Sequence, residues 1–213
     1  MVISVIIADD HPIVRSSVRM EVERVPQVKV VGEASNTDEL MATLKDTPCD
    51  LVITDFSMPG GTVEDGLFLI DAIVHSKPRL PVLILTMLSN PGLIRAMQDR
   101  GARALISKAD SIGELQNAVR AVTAGEEYLS PTMGRLLFNN NKSQGAGRLA
   151  SLSDREVEVL RLFVSGMTIS EIAVKRERSV KTISHQKMSA MNKLGLKNDP
   201  ELYAYAHENG FLN

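Results

Sequence analysis

Cysteine is almost missing from this chain. Cys49 is the only one in 213 residues, which excludes an intrachain disulfide and a cysteine-held zinc and agrees with a reducing compartment. No apolar run approaches the ~20 residues of a membrane span. The opening MVISVIIADD lacks the basic n-region and the cleavage site of a signal peptide. A cytoplasmic protein without a membrane partner is therefore expected. The bias that marks disorder is absent too, since 44% hydrophobic and 23% charged residues are ordinary for a globular chain. The length exceeds a typical single domain of about 100 to 150 residues, so a larger and a smaller domain are expected.

Net charge is also small, −2, but it is unevenly spread. Residues 148–213 hold ten Lys or Arg against eight Asp or Glu, which leaves 14 and 18 for residues 1–147. Between Lys175 and Lys197 seven basic residues (Lys175, Arg176, Arg178, Lys181, Lys187, Lys193, Lys197) face Glu177 alone. A stripe of this kind suits a polyanion, although charge runs often prove to be solvated helix faces.

What is present is organised around CDLVITDFSMP, residues 49–59. Leu51 to Thr54 form an apolar, β-branched run without alternation, the pattern of a central parallel strand covered on both faces. Asp55 stands at its carboxyl end, where open parallel sheets place their sites. Pro59, Gly60 and Gly61 stop the run. The same strand and helix alternation repeats along the chain: strands over Val2–Ala8, Val28–Ala34, Leu51–Thr54, Pro81–Leu85 and Ala102–Ile106, and helices over Val14–Val25, Asp38–Lys45, Gly66–His75, Asn90–Arg100 and from a Ser111 cap to Ala124. This predicts an α/β domain over 1–124, a five-stranded parallel doubly wound sheet with right-handed crossovers.

Residues 125–150 break the pattern with Gly125, Pro131, Gly134, Gly145 and Gly147 and read as a linker, with one short helix over Pro131–Phe138 and a mobile stretch over Asn139–Arg148. From Ser151 to Asn213 the pattern is helical. Ser153 with Glu156 and Thr168 with Glu171 are capping boxes, Ser179 caps a helix to Leu194 that Gly195 stops, and Asp199 opens a last helix. Two short helices followed by a basic one suggest a four-helix helix-turn-helix domain.

The strand exits carry Asp9 and Asp10, then Asp55, Thr86 and Lys108. Parallel topology gathers them at one edge. Three carboxylates together call for a cation, and hard oxygen ligands favour Mg²⁺. Thr86 and Lys108 are suited to phosphoryl oxygens, one as a hydroxyl donor and the other as a point charge. In the basic helix, Ile183, Ala190, Met191 and Leu194 recur at core spacing, which frees the opposite face.

With these motifs in place, residues 1 to about 124 resemble a response-regulator receiver domain. Asp9 and Asp10 match its paired acids, Asp55 its phosphoacceptor, SMPG its following loop, Thr86 its switch hydroxyl and Lys108 its lysine. The tail, LSDREVEVLRLFVSGMTISEIAVKRERSVKTISHQKMSAMNKLGL, resembles the LuxR-type DNA-binding domain, and the two together are similar to the NarL/FixJ class. The resemblance implies that Asp10, Asp55 and the main-chain carbonyl of Ser57 coordinate Mg²⁺, with Asp9 acting largely through water. It also implies that Ser184, His185 and Met188 lie in the major groove while Lys181, Thr182 and Lys187 touch phosphates.

The expected function is a phosphorylation-controlled transcription regulator rather than an enzyme. It takes its phosphoryl group from a histidine kinase or histidine phosphotransfer protein, binds promoter DNA, meets RNA polymerase, and assembles as a homodimer or as a heterodimer with an auxiliary regulator. Two departures stand out: Leu105 occupies the position three before the lysine where receivers often carry an aromatic, and GGTVEDG (60–66) is longer than the common loop. Rival readings are a phosphatase, for which Ser57 stands where a second catalytic Asp is wanted, and a DNA-binding regulator whose receiver is a docking module independent of phosphorylation.

Overall fold

The computed structural model describes residues 2–58, 61–140 and 152–208. Residues Pro59 and Gly60, the remainder of the expected mobile stretch (141–148) and the C-terminal 209–213 lie outside them. The described chain forms two compact units.

In the first, β1 (Ile3–Ala8), α1 (Pro12–Val22), β2 (Val28–Ala34), α2 (Thr37–Asp46), β3 (Leu51–Asp55), α3 (Leu67–Ser76), β4 (Val82–Thr86), α4 (Pro91–Asp99), β5 (Ala102–Ser107) and α5 (Glu114–Thr123) alternate as the patterning predicts. The sheet order is β2-β1-β3-β4-β5-β6, and every pairing is parallel. Alternation sorts the strand residues by face: Val5, Ile7, Leu51, Ile53, Leu83, Leu85, Ala104 and Ile106 pack with Val18 and Val22 of α1 and with Leu115, Ala118, Val119 and Val122 of α5. Their strand neighbours Ile6, Val52, Ile84 and Leu105 are equally buried. Both faces are therefore covered, which explains why β3 and β4 show no polar alternation. Asn36 caps α2 by accepting from the Glu39 N–H at 2.9 Å. The helix after β5 begins at Glu114, and Ser111 holds the turn before it through the Gly113 N–H.

A sixth strand, β6 (Tyr128–Leu129), adds to the five expected, inside the stretch read as linker. It pairs with Ala104 and Leu105 of β5, and the Ser130 N–H donates to the Leu105 carbonyl at 3.0 Å. Two residues carry no periodicity, so this strand exists only as a ladder on an edge already built. It leads into α6 (Pro131–Asn140), whose first turn is held by Asp110: the Thr132 hydroxyl donates to Asp110 Oδ1 at 2.5 Å.

The second unit contains α7 (Asp154–Val164), α8 (Ile169–Lys175), α9 (Val180–Leu194) and α10 (Asp199–Glu208). Both capping boxes form, at Ser153 with Glu156 and at Thr168 with Glu171. Gly195 ends α9 at φ 74°, with the Leu196 N–H bonded to the Met191 carbonyl, a left-handed stop that favours glycine. Val159, Leu162, Ile172, Ala173 and Ile183 form the core. Among the described residues no helix is long and apolar enough to cross a membrane.

Candidate functional site

Register alone brings the acidic residues together. Ala8 pairs with Thr54, Asp55 with Leu85 and Thr86 with Ser107, so Asp9, Asp55, Thr86 and Lys108 emerge side by side at the carboxyl edge. The Lys108 N–H donates to the Thr86 carbonyl at 2.9 Å, tying those two exits by backbone. Lys108 Nζ then bridges the carboxylates, 2.8 Å from Asp9 Oδ2 and 2.7 Å from Asp55 Oδ2. Asp9 is 0% and Asp55 6% exposed. Asp9 thus meets Lys108 directly, a contact that sequence reasoning did not foresee.

Burial pushes the Asp55 carboxyl above the usual range, and Lys108 opposes it. Burial works against charge on Lys108 as well, but the adjoining Asp55 and Asp9 outweigh it and hold its pKa up. Ligand atoms of Asp9, Asp10, His11 and Asp55 all lie within 4.8 Å of one another. His11 Nδ1 approaches Asp10 Oδ1 at 2.7 Å without hydrogen-bond geometry, so that buried oxygen is left with no donor. One ammonium among three carboxylates leaves a local charge near −2. An orphaned carboxylate oxygen among three carboxylates with that surplus, beside a single imidazole, fits a hard divalent cation. Ser57 joins the pocket through its N–H, which donates to Asp55 Oδ1 at 3.3 Å. Thr86 is buried at the end of β4. Leu105, at the position noted for an aromatic, is fully buried in the sheet between Ile84 and Leu129.

The long loop after β3 turns towards α2. Asp38 accepts from the Thr62 N–H and hydroxyl and from the Val63 N–H at 2.8 to 2.9 Å, and the Thr37 hydroxyl donates to the Val63 carbonyl. Gly61 is required there, because a Cβ would sit 2.0 Å from Thr37 Oγ1. Neither Asp38 nor the buried Asp65 of this loop had been singled out. Their contacts join residues 24 or more apart or cross the loop itself, and no local pattern reports that.

On α9, Ile183, Ala190, Met191 and Leu194 are buried as expected. Lys181, His185 and Met188 are exposed, Met188 by 61%, and Ser184 is half-buried beside them. Asn192 is exposed as well and, at i+11 from Lys181, lies on the same stripe. Thr182 lies near the N-terminus of the helix with its hydroxyl 2.8 Å from that of Ser179. Lys187 is corrected. It falls at i+4 from Ile183, on the core stripe, 9% exposed, with Nζ 2.5 Å from Asp199 Oδ1 and 3.6 Å from the Phe163 ring centroid. It belongs to the packing of α9 on α7 and α10, not to the open face. Glu156 joins α7 to α9 by accepting from the Ser189 hydroxyl at 2.7 Å and from Lys193 Nζ at 2.8 Å.

Residues 5–120 match the response regulator receiver domain, and residues 150–206 match the luxR family of bacterial regulatory proteins. The chain is 41% identical to the transcriptional regulatory protein RcsB of Escherichia coli over 95% of this chain and 93% of that one. It is 36% identical to the oxygen regulatory protein NreC of Staphylococcus carnosus over 98% and 99%. Among solved structures, RcsB of Salmonella enterica serovar Typhimurium bound to a promoter in the presence of a phosphomimetic superposes with a TM-score of 0.84 at 40% identity, covering 97% of this chain and 98% of that chain. Pocket, helix-turn-helix and relatives agree: the chain belongs to the response regulators, with a receiver domain joined to a luxR-type DNA-binding domain.

Proposed function

We propose that residues 1–124 receive a phosphoryl group on Asp55 and that residues 151–213 bind promoter DNA through α9, with 125–150 connecting them. The observation that carries this is the Lys108 bridge between Asp9 and Asp55, which holds a nucleophilic carboxylate beside a cation at the edge of a sheet. A histidine kinase or phosphotransfer protein presents phosphohistidine. An Asp55 oxygen forms the new bond to phosphorus, the phosphorus–nitrogen bond breaks, and the imidazole leaves with a proton. Asp9, Asp10, Asp55 and the Ser57 carbonyl would hold Mg²⁺, which neutralises charge on the transferring group. Lys108 turns from bridging carboxylates to holding the product oxygens, and the Thr86 hydroxyl donates to the same group. The added charge, roughly −2, reorders the Thr86 and Lys108 exits, which already share a backbone hydrogen bond.

On DNA, Ser184, His185 and Met188 face base edges. Lys181, Thr182 and Asn192 flank them towards phosphates. The assembly is a homodimer, or a heterodimer with an auxiliary regulator, that meets RNA polymerase in the cytoplasm. Acetyl phosphate with Mg²⁺, read by intact mass, tests the receiver: a labile adduct is expected, steady phosphate release would indicate a phosphatase, and no change would indicate a docking module. Asp10→Ala should keep the fold and lose the Mg²⁺ dependence of labelling, because it deletes a ligand and not core volume. An unchanged Mg²⁺ titration would overturn the assignment of that carboxylate.

A further inference from the structure

Asp65 is a buried carboxylate, 3% exposed, that no step above uses. Its Oδ2 accepts from the Met58 N–H at 3.1 Å. That N–H belongs to the same peptide unit as the Ser57 carbonyl, and a peptide unit is planar, so holding one end fixes the direction of the other. The preceding peptide unit is held as well, because the Ser57 N–H donates to Asp55 Oδ1. Ser57 is therefore gripped from both sides by carboxylates, one in the pocket and one behind it.

Asp65 in turn sits on an anchored segment. The Gly66 N–H donates to the Phe56 carbonyl at 2.9 Å, closing the loop at its base. Thr62 and Val63 are fastened to Asp38 at the first turn of α2, and the buried Thr37 hydroxyl holds the Val63 carbonyl at 2.6 Å. These donors, the Thr62 N–H first, keep the Asp38 carboxyl below its usual range, as expected of an acceptor that stays charged at neutral pH.

We propose that Asp65 is the positioning residue for the Ser57 main-chain carbonyl, with Asp38 as the anchor that holds Asp65 in place, so that the affinity of the acidic pocket for its divalent cation is set from outside the ligand set. This rests on the reading of the pocket as a Mg²⁺ site. A main-chain ligand cannot be tuned by changing its own side chain, so control passes to whatever fixes its peptide plane.

The test is Mg²⁺ binding by titration calorimetry on the full chain, alongside the Mg²⁺ concentration giving half-maximal labelling by acetyl phosphate. Asp65→Ala should weaken Mg²⁺ by about tenfold or more, in the range that outer partners of metal ligands command. Its labelling should need correspondingly more Mg²⁺ yet reach the wild-type maximal rate. Asp65→Asn keeps an acceptor for the Met58 N–H and loses the charge, so it should stay within about threefold of wild type. If Asp65→Asn is as weak as Asp65→Ala, the deficit is lost charge and the proposal falls. It falls too if Asp65→Ala binds like wild type. Should Asp65→Ala fail to fold by circular dichroism, Asp38→Ala decides: weaker Mg²⁺ binding on an intact fold supports the anchored loop, and unchanged binding overturns it. Absence of Mg²⁺ binding in the wild type would sink the site reading and this inference together, whereas a wild type that binds and loses the ion on Asp10→Ala leaves the site standing whatever Asp65 does.

Discussion

The receiver pocket and helix α9 of the luxR-type domain are built in opposite ways. The pocket draws Asp9, Asp55, Thr86 and Lys108 from four different strands, the Lys108 to Asp9 bond spanning 99 positions of chain, and seals the carboxylates from water. The helix takes Lys181 to Asn192 from one continuous element and leaves the stripe open. Chemistry on a small anion needs convergent charges in a low-dielectric pocket. Reading a duplex needs a convex row of side chains. The pocket should therefore be intolerant of change at any member, and the helix should lose its functions one contact at a time.

The largest expected effect lies in the pocket. Asp55→Asn should abolish labelling by acetyl phosphate in intact mass, since an amide is a poor nucleophile and a weaker cation ligand; an adduct still formed at that position would break the comparison at its centre. Next comes the helix. His185→Ala should cost about 1–3 kcal/mol on specific DNA and little on random DNA, whereas Lys181→Ala should weaken both alike and lower the salt slope by about one unit. Equal losses on both DNAs in the His185 variant, followed over several salt concentrations, would mean that another face enters the groove.

Lys187 sharpens the contrast within the helix itself. Lys187→Ala should cost about 1–2 kcal/mol in the stability of the C-terminal domain, from lost packing of its stem and its contact with Phe163, measured by urea denaturation. Lys181→Ala should leave stability unchanged. Equal stability of the two variants would return Lys187 to the surface. The smallest effect is one of pH. Despite burial, the bonds from Lys193, Ser189 and Ser153 hold Glu156 at about 2 against an ordinary 4.5. A depressed carboxyl stabilises the fold above its unfolded value, so this contribution is complete above about 4.5 and fades as pH falls towards 2. After allowance for solvent screening at the partly exposed Lys193 it is on the order of 1 kcal/mol. The stability gap between wild type and Glu156→Gln should narrow across that window, and a constant gap would remove Glu156 as the titrating link between α7 and α9.

Much of this was readable in the residues. The exits of β1, β3, β4 and β5 followed from apolar runs that stop at or near a carboxylate, hydroxyl or lysine. The helix starts at Asn36, Ser153, Thr168 and Ser179 followed from capping chemistry, which acts within a few residues of chain and so leaves a local mark. Lys187 went astray because a charged residue on an apolar stripe can be placed only when its partners are known, and Asp199 and Phe163 come from other helices. Asp38 and Asp65 had no mark at all, since a carboxylate accepting main-chain N–H groups has no periodicity.

By itself the sequence determined what is local or periodic: the alternation of strands and helices, the caps, the residue types at the strand ends and the apolar seam of α9. Only the tertiary structure decided which of those ends touch and how the groups are held. It placed Lys108 between Asp9 and Asp55, β6 on the edge of the sheet, Lys187 in the core and Asp65 behind Ser57. The reason is physical: propensity and periodicity act over a few residues, whereas hydrogen bonds and burial act through space between groups that the chain brings together only once it has folded.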